Sequence, residues 1–115
     1  MFDKKNEIKE GEMRFIKPES LTKNSIILDV RGDEEYKNER LALPHILIKA
    51  DEVEPHKFMA EYNPTGDKVV NILCTSGGKA SEIAEKFENA GFENVAVVVG
   101  GIIEAYQEGL DIIKN

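Results

Sequence analysis

The chain has 115 residues, enough for one core of ordinary size, and its 41% hydrophobic and 32% charged residues describe a globular protein rather than a membrane-spanning or disordered one. A net charge of −7 argues against a nucleic-acid binder or a protein that docks on anionic membranes, both of which need clustered Lys and Arg. It does not bar a small anionic substrate, because the local field of a loop decides that. The one cysteine, Cys74, permits no internal disulfide, as in proteins of reducing compartments.

Residues 1–12 are mostly charged, lack the apolar core of a signal peptide, and read as a loose lead-in to a single domain over 13–115. A cytoplasmic location is the expectation. Met13–Ile16 reads as a short edge strand and Pro18–Leu21 as one helical turn with proline near its start. Ser25–Val30 is the first central strand, with the continuous apolar character of a strand buried on both faces. Asp33–Tyr36 opens a short helix whose acidic residues, Glu34 and Glu35 among them, are expected to be a solvated helix start. Leu41–His45 reads as irregular, and Ile46–Ile48 as another short strand. A helix opens near Pro55, carries Phe58, Met59 and Tyr62 on its apolar side, and ends at Asn63-Pro64.

Lys68–Leu73 is a buried strand that ends at Cys74. The next helix places Ala80, Ile83, Ala84 and Phe87 at i, i+3, i+4 and i+7, with Gly91 as its C′ residue. Glu82 and Lys86 are spaced for an ion pair worth about 0.2–0.5 kcal/mol. Asn94–Val99 is a second buried strand and Gly100-Gly101 a turn. Ile102, Ile103 and Tyr106 read as the inner face of a final helix ended by Gly109, with Tyr106 in the core. Strands alternating with helices predict an α/β fold of three layers, a central parallel sheet of about five strands with helices on both faces.

Ligands of such sheets bind outside the carboxyl ends of the strands. Cys74 sits at one such end and Asp29-Val30-Arg31 at another. A lone cysteine is more often a small buried hydrophobe than a nucleophile. A core cysteine, however, needs no Thr75-Ser76-Gly77-Gly78-Lys79 loop behind it. Such a loop can turn its amides toward one point, and the following helix adds positive potential there, which favours a thiolate and an incoming anion. Two chemistries use a thiolate so placed. Phosphate-ester cleavage needs an arginine six residues after the cysteine to grip the phosphoryl oxygens, and that position is Ala80. Sulfur transfer suits the shorter loop ending at Lys79. Asp29 and Arg31 read as supports that brace this edge. His45 and His56 lack metal-ligand spacing.

Four segments in order carry a family resemblance: Leu28-Asp29-Val30-Arg31 followed by Glu35-Tyr36, the Cys74–Ala80 loop, Ala90-Gly91-Phe92 before an apolar strand, and Gly100-Gly101-Ile102-Ile103-Glu104-Ala105-Tyr106. The chain resembles a single-domain rhodanese of the sulfurtransferase family over roughly residues 14–113. The resemblance implies a persulfide on Cys74, held by the amides of residues 75–79, with no metal and no organic cofactor. It implies a small anionic sulfur donor such as thiosulfate, or a persulfide, and a thiol or cyanide acceptor, with a donor or acceptor protein as a further partner. Lys79 is expected to draw the donor. Thr75 stands where the family often has a basic residue, and Lys79 where arginine is common. Glu39–His45 departs from the family's Gly-His-Ile-Pro-Gly-Ala segment, so His45 is not taken for the family histidine. The competing expectation is a non-catalytic binding or sulfur-sensing module on the same fold.

Overall fold

The computed structural model describes residues 13–115, so the lead-in expected at 1–12 lies outside the described residues. Five parallel strands form the main sheet: β1 (Phe15–Ile16), β2 (Ile26–Asp29), β4 (Ile46–Leu47), β5 (Val70–Leu73) and β6 (Val95–Val98). Their order is β1-β6-β5-β2-β4. The register pairs Leu28 with Ile72 and Ile72 with Val97, which aligns the three central strands.

These central strands are apolar on both sides because both sides are covered. Side chains alternate across a strand. Leu28, Val30, Val70, Ile72, Cys74, Val95 and Val97 pack on one face with residues of α2 (Pro55–Tyr62) and α3 (Gly78–Asn89). Ile27, Leu73 and Val98 pack on the other with Leu21, Leu41 and Ala105, the last from α4 (Gly101–Gln107). In α3 the apolar stripe Ala80, Ile83, Ala84 and Phe87 is buried as its spacing predicts. Phe87 is wholly buried, a contribution of about 1.5–3 kcal/mol. The helix stops at a Schellman turn, in which the Gly91 amide bonds the Glu88 carbonyl and the Phe92 amide the Phe87 carbonyl, with Gly91 at φ 96°.

Several local expectations change. The stretch around Leu41 is not wholly irregular: β3 (Glu39–Leu41) pairs antiparallel with β7 (Ile112–Lys114) in a separate two-stranded ribbon. Each strand has three residues, too few to show a period. In α4 the inner face is Ile102 and Ala105. Ile103 is 49% exposed and Tyr106 57% exposed, and the Tyr106 ring lies 4.3 Å from the Lys114 ammonium instead of in the core. One residue of offset at the Gly100-Gly101 turn rotates every later side chain by 100° around the helix. The Glu82–Lys86 ion pair does not form among the described residues. Lys86 donates to the Val53 carbonyl at 2.8 Å, tying α3 to the segment before α2.

Candidate active site

All five strands of the parallel sheet point the same way, so their carboxyl ends share one edge. There β5 delivers Cys74 next to the turn that follows β2, because β2 and β5 are neighbours. The turn after β6 flanks it on the other side. The Ile102 amide donates to the Cys74 carbonyl at 2.9 Å, and the Ile103 amide to the Thr75 carbonyl at 3.3 Å. This contact requires Gly101. It holds φ +62°, and a Cβ there would overlap the Cys74 carbonyl oxygen and stand 2.5 Å from the Thr75 carbonyl oxygen. Gly101→Ala is therefore expected to lower the unfolding free energy by roughly 2–4 kcal/mol, from a left-handed residue with a side chain and a backbone clash that cannot relax. Chemical denaturation reads this directly; an unchanged midpoint would contradict the close approach.

Cys74 is 4% exposed, and its Sγ is a hydrogen-bond acceptor twice over. The Gly77 amide donates to it at 2.9 Å and the Ala80 amide at 3.4 Å. Gly77 reaches this position at φ 113°, as the residue that caps α3. Ala80 is the third residue of α3, so its amide is one of the donors that a helix start leaves without an intrahelical partner. The sulfur takes the place of a capping oxygen. Among the described residues the amides of Thr75, Ser76, Gly78 and Lys79 have no protein acceptor. The donors to the sulfur are thus Gly77, within the 75–79 loop, and Ala80, one residue past it, a position where only the side chain is informative in the sequence. The rule of unpaired amides at helix starts is the signal that could have found it.

The sulfur borders a cavity of about 200 Å³ lined by Arg31, Glu35, Cys74, Thr75, Ser76 and Lys79. Asp29 does not line it. Asp29 and Arg31 are both buried, and the Arg31 guanidinium binds the Asp29 carboxylate through Nε and Nη2 at 3.0–3.2 Å. Arg31 also donates to the carbonyls of Glu35 and Glu39, at 3.3 and 2.7 Å, which fixes α1 (Asp33–Asn38) and β3 to the sheet edge. Tyr36 stands between Arg31 and Arg40, with both guanidinium carbons within 5.7 Å of its ring centre. His45 is turned to Tyr36, with Nε2 2.7 Å from the hydroxyl and Nδ1 2.8 Å from the Leu43 carbonyl. A carbonyl can only accept, so in the neutral ring Nδ1 carries the proton and Nε2 accepts from tyrosine. No group of His, Cys, Asp and Glu among the described residues could hold a metal ion.

Glu35 is the site residue that sequence reasoning missed. It is no free helix-start carboxylate: Oε1 accepts from the Gly32 amide at 3.1 Å and Oε2 from the Thr75 hydroxyl at 3.0 Å. The Gly32 amide first, and then the Thr75 hydroxyl, hold its carboxyl below the usual glutamate range, with smaller help from Arg31 and Lys79. The Gly32–Glu35 spacing is legible as a helix-start pattern. The link to Thr75, forty residues on, is not.

Fold and site together define an α/β domain that presents one cysteine on an amide-lined loop at the carboxyl edge of a parallel sheet. The sequence model of the Rhodanese-like domain matches residues 17–108, and the chain belongs to that family. It is 34% identical over 94 residues to a tRNA sulfurtransferase of Desulfurococcus amylolyticus, covering 81% of this chain and 17% of that protein. The chain therefore spans about a sixth of that relative's length. A rhodanese-like domain protein from Staphylococcus aureus shares its structure with a TM-score of 0.69 and 27% identity, over 90% of this chain and all of the other. A rhodanese-related protein from Thermoplasma volcanium gives 0.66 and 26%, over 87% and 97%. No helix among the described residues is long and apolar enough to cross a membrane.

Proposed function

We propose that the protein is a sulfurtransferase that carries a sulfane sulfur on Cys74. The observation that carries this reading is the pair of amides donating to Sγ at 2.9 and 3.4 Å. Beyond capping the start of α3, two amide donors converging on one sulfur stabilise it as an anion, the form that attacks a sulfur donor. The Cys74 thiolate attacks the outer sulfur of the donor. A Cys74 S–S bond forms, the donor's S–S bond breaks, and the departing sulfite or thiolate keeps the electron pair. The acceptor, cyanide or a thiolate, then attacks the outer sulfur and leaves the Cys74 thiolate behind. The unpartnered amides of Thr75, Ser76, Gly78 and Lys79 supply further donors for the longer persulfide and for the leaving group. No cofactor is needed, because the sulfur is itself the carried group. The sulfurtransferase name of the Desulfurococcus amylolyticus relative agrees with this chemistry. A sulfur-donating or accepting protein in the cytoplasm is the expected partner.

The test is the intact mass of the purified protein after thiosulfate, after a small persulfide, and then after cyanide. A gain of one sulfur atom that cyanide removes is the expected result. No gain from either donor, with the thiol intact, would favour a binding or sulfur-sensing module. Lys79, exposed at the cavity rim, is expected to draw anionic donors. Replacing it with alanine should raise KM for thiosulfate by roughly three- to tenfold with little change in kcat, since a rim charge acts on encounter. An unchanged KM removes that role.

A further inference from the structure

The charges around Cys74 do not add up to an anion trap. Three charged side chains line the cavity: Arg31, Glu35 and Lys79. The Arg31 charge is cancelled by Asp29, with both side chains no more than 1% exposed. Glu35 and Lys79 remain. Glu35 is fixed at both oxygens, and turning it away from the cavity would break its bonds to Gly32 and Thr75 together. Lys79 makes no hydrogen bond or ion pair among the described residues, so its position is not fixed in the same way. The negative charge is anchored and the positive one is not. Thr75 is responsible for half of this anchoring.

From this geometry we infer that Glu35 is a specificity-determining residue, biasing the cavity against dianionic donors such as thiosulfate and in favour of persulfides. The inference rests on the sulfur-transfer reading. Its physical basis is the charge of the reacting group. With thiosulfate, a thiolate meets a dianion: Cys74–S⁻ and S–SO₃²⁻ give Cys74–S–S⁻ and SO₃²⁻, with three negative charges gathered at the transition state. With a protonated persulfide, Cys74–S⁻ and R–S–SH give Cys74–S–SH and R–S⁻, with one. A fixed carboxylate opposes the first by two more unit charges than the second. Across a cavity of this size in a water-like dielectric, that difference amounts to about tenfold in rate. The two donors to its oxygens keep Glu35 ionised throughout the neutral range.

The experiment compares single-turnover loading of Cys74, read by intact mass, from thiosulfate and from 2-hydroxyethyl persulfide, whose carrier is uncharged. The readout is the ratio of the two rates, which cancels any common change in loop position. Glu35→Gln, which removes the charge and keeps the length, should raise the thiosulfate-to-persulfide ratio about tenfold. Glu35→Asp keeps the charge and is too short for the same contacts; its ratio should stay near that of the unaltered protein. An unmoved ratio in Glu35→Gln overturns the inference and leaves sulfur transfer standing. A ratio that rises equally in Glu35→Asp also overturns it, by assigning the effect to loop position. An unaltered protein that loads from neither donor overturns the sulfur-transfer reading and this inference with it.

Discussion

Cys74→Ser is expected to fold and to take up no sulfur from thiosulfate or from a persulfide. The hydroxyl can still accept from the amides of Gly77 and Ala80, so the loop keeps its two internal bonds. What is lost is the proposed nucleophile, since a serine hydroxyl is a far poorer attacker of sulfur than a thiolate. His45, the nearest histidine in sequence to the site-edge residues, is committed to Tyr36 and Leu43 and does not line the cavity. The loading rate should fall by at least about 10³-fold, with the denaturation midpoint close to that of the unaltered protein. Cys74 is the only cysteine, so any sulfur gained by the variant would have to sit on no thiol at all. Such a gain would remove Cys74 from the chemistry.

The second large effect is on stability. Asp29→Asn should lower the unfolding free energy by about 3–5 kcal/mol, because it leaves the Arg31 guanidinium buried without its counter-charge. For a domain of this size that corresponds to a fall in melting temperature of roughly 10 °C or more. Asparagine matches aspartate in shape, so the loss reports charge rather than packing. The Asp29 Oδ1 also accepts from the Arg31 amide at 3.0 Å, a bond the asparagine oxygen can keep. The paired replacement Asp29→Leu with Arg31→Met should be less damaging than Asp29→Asn alone, since removing both charges leaves neither uncompensated. If Asp29→Asn melts within a degree or two of the unaltered protein, the buried pair does not hold this edge.

The two effects separate what this edge of the sheet does. Cys74 is the proposed sulfur carrier, with two amides donating to it. Asp29 and Arg31 are architecture, because Arg31 spans from the end of β2 to the carbonyls that close α1 and open β3. Glu35 joins the halves: it belongs to α1 by sequence and touches the loop after Cys74 through Thr75.

Much of this was legible in the residues because the signals are local. The apolar runs before Asp29, Cys74 and Val99 mark strands covered on both faces. The i, i+3, i+4, i+7 stripe of α3 and its Gly91 stop arise from contacts within one helix and one sheet face. The glycine loop after Cys74 announces a turn that opens a helix, and from that alone the amides could be expected to gather at the sulfur. The misreadings have a common cause. Hydrophobicity alone places Ile103 and Tyr106 inward beside Ile102, but the Gly100-Gly101 turn sets the phase of α4 so that Ala105 joins Ile102 inside and Ile103 and Tyr106 face out. The ribbon of β3 and β7 joins segments some seventy residues apart, and three-residue strands carry no period to read.

The sequence by itself determined the alternation of strands and helices, the place of Cys74 at a strand end, and the glycine-rich turn behind it, because each depends on neighbours along the chain. Tertiary structure alone decided which charges face the sulfur. Asp29 and Arg31 stand two residues apart and pair at the end of β2, but Glu35 is anchored by Thr75 only once β2 and β5 lie side by side, and the field at a site depends on distances across the fold as well as along it.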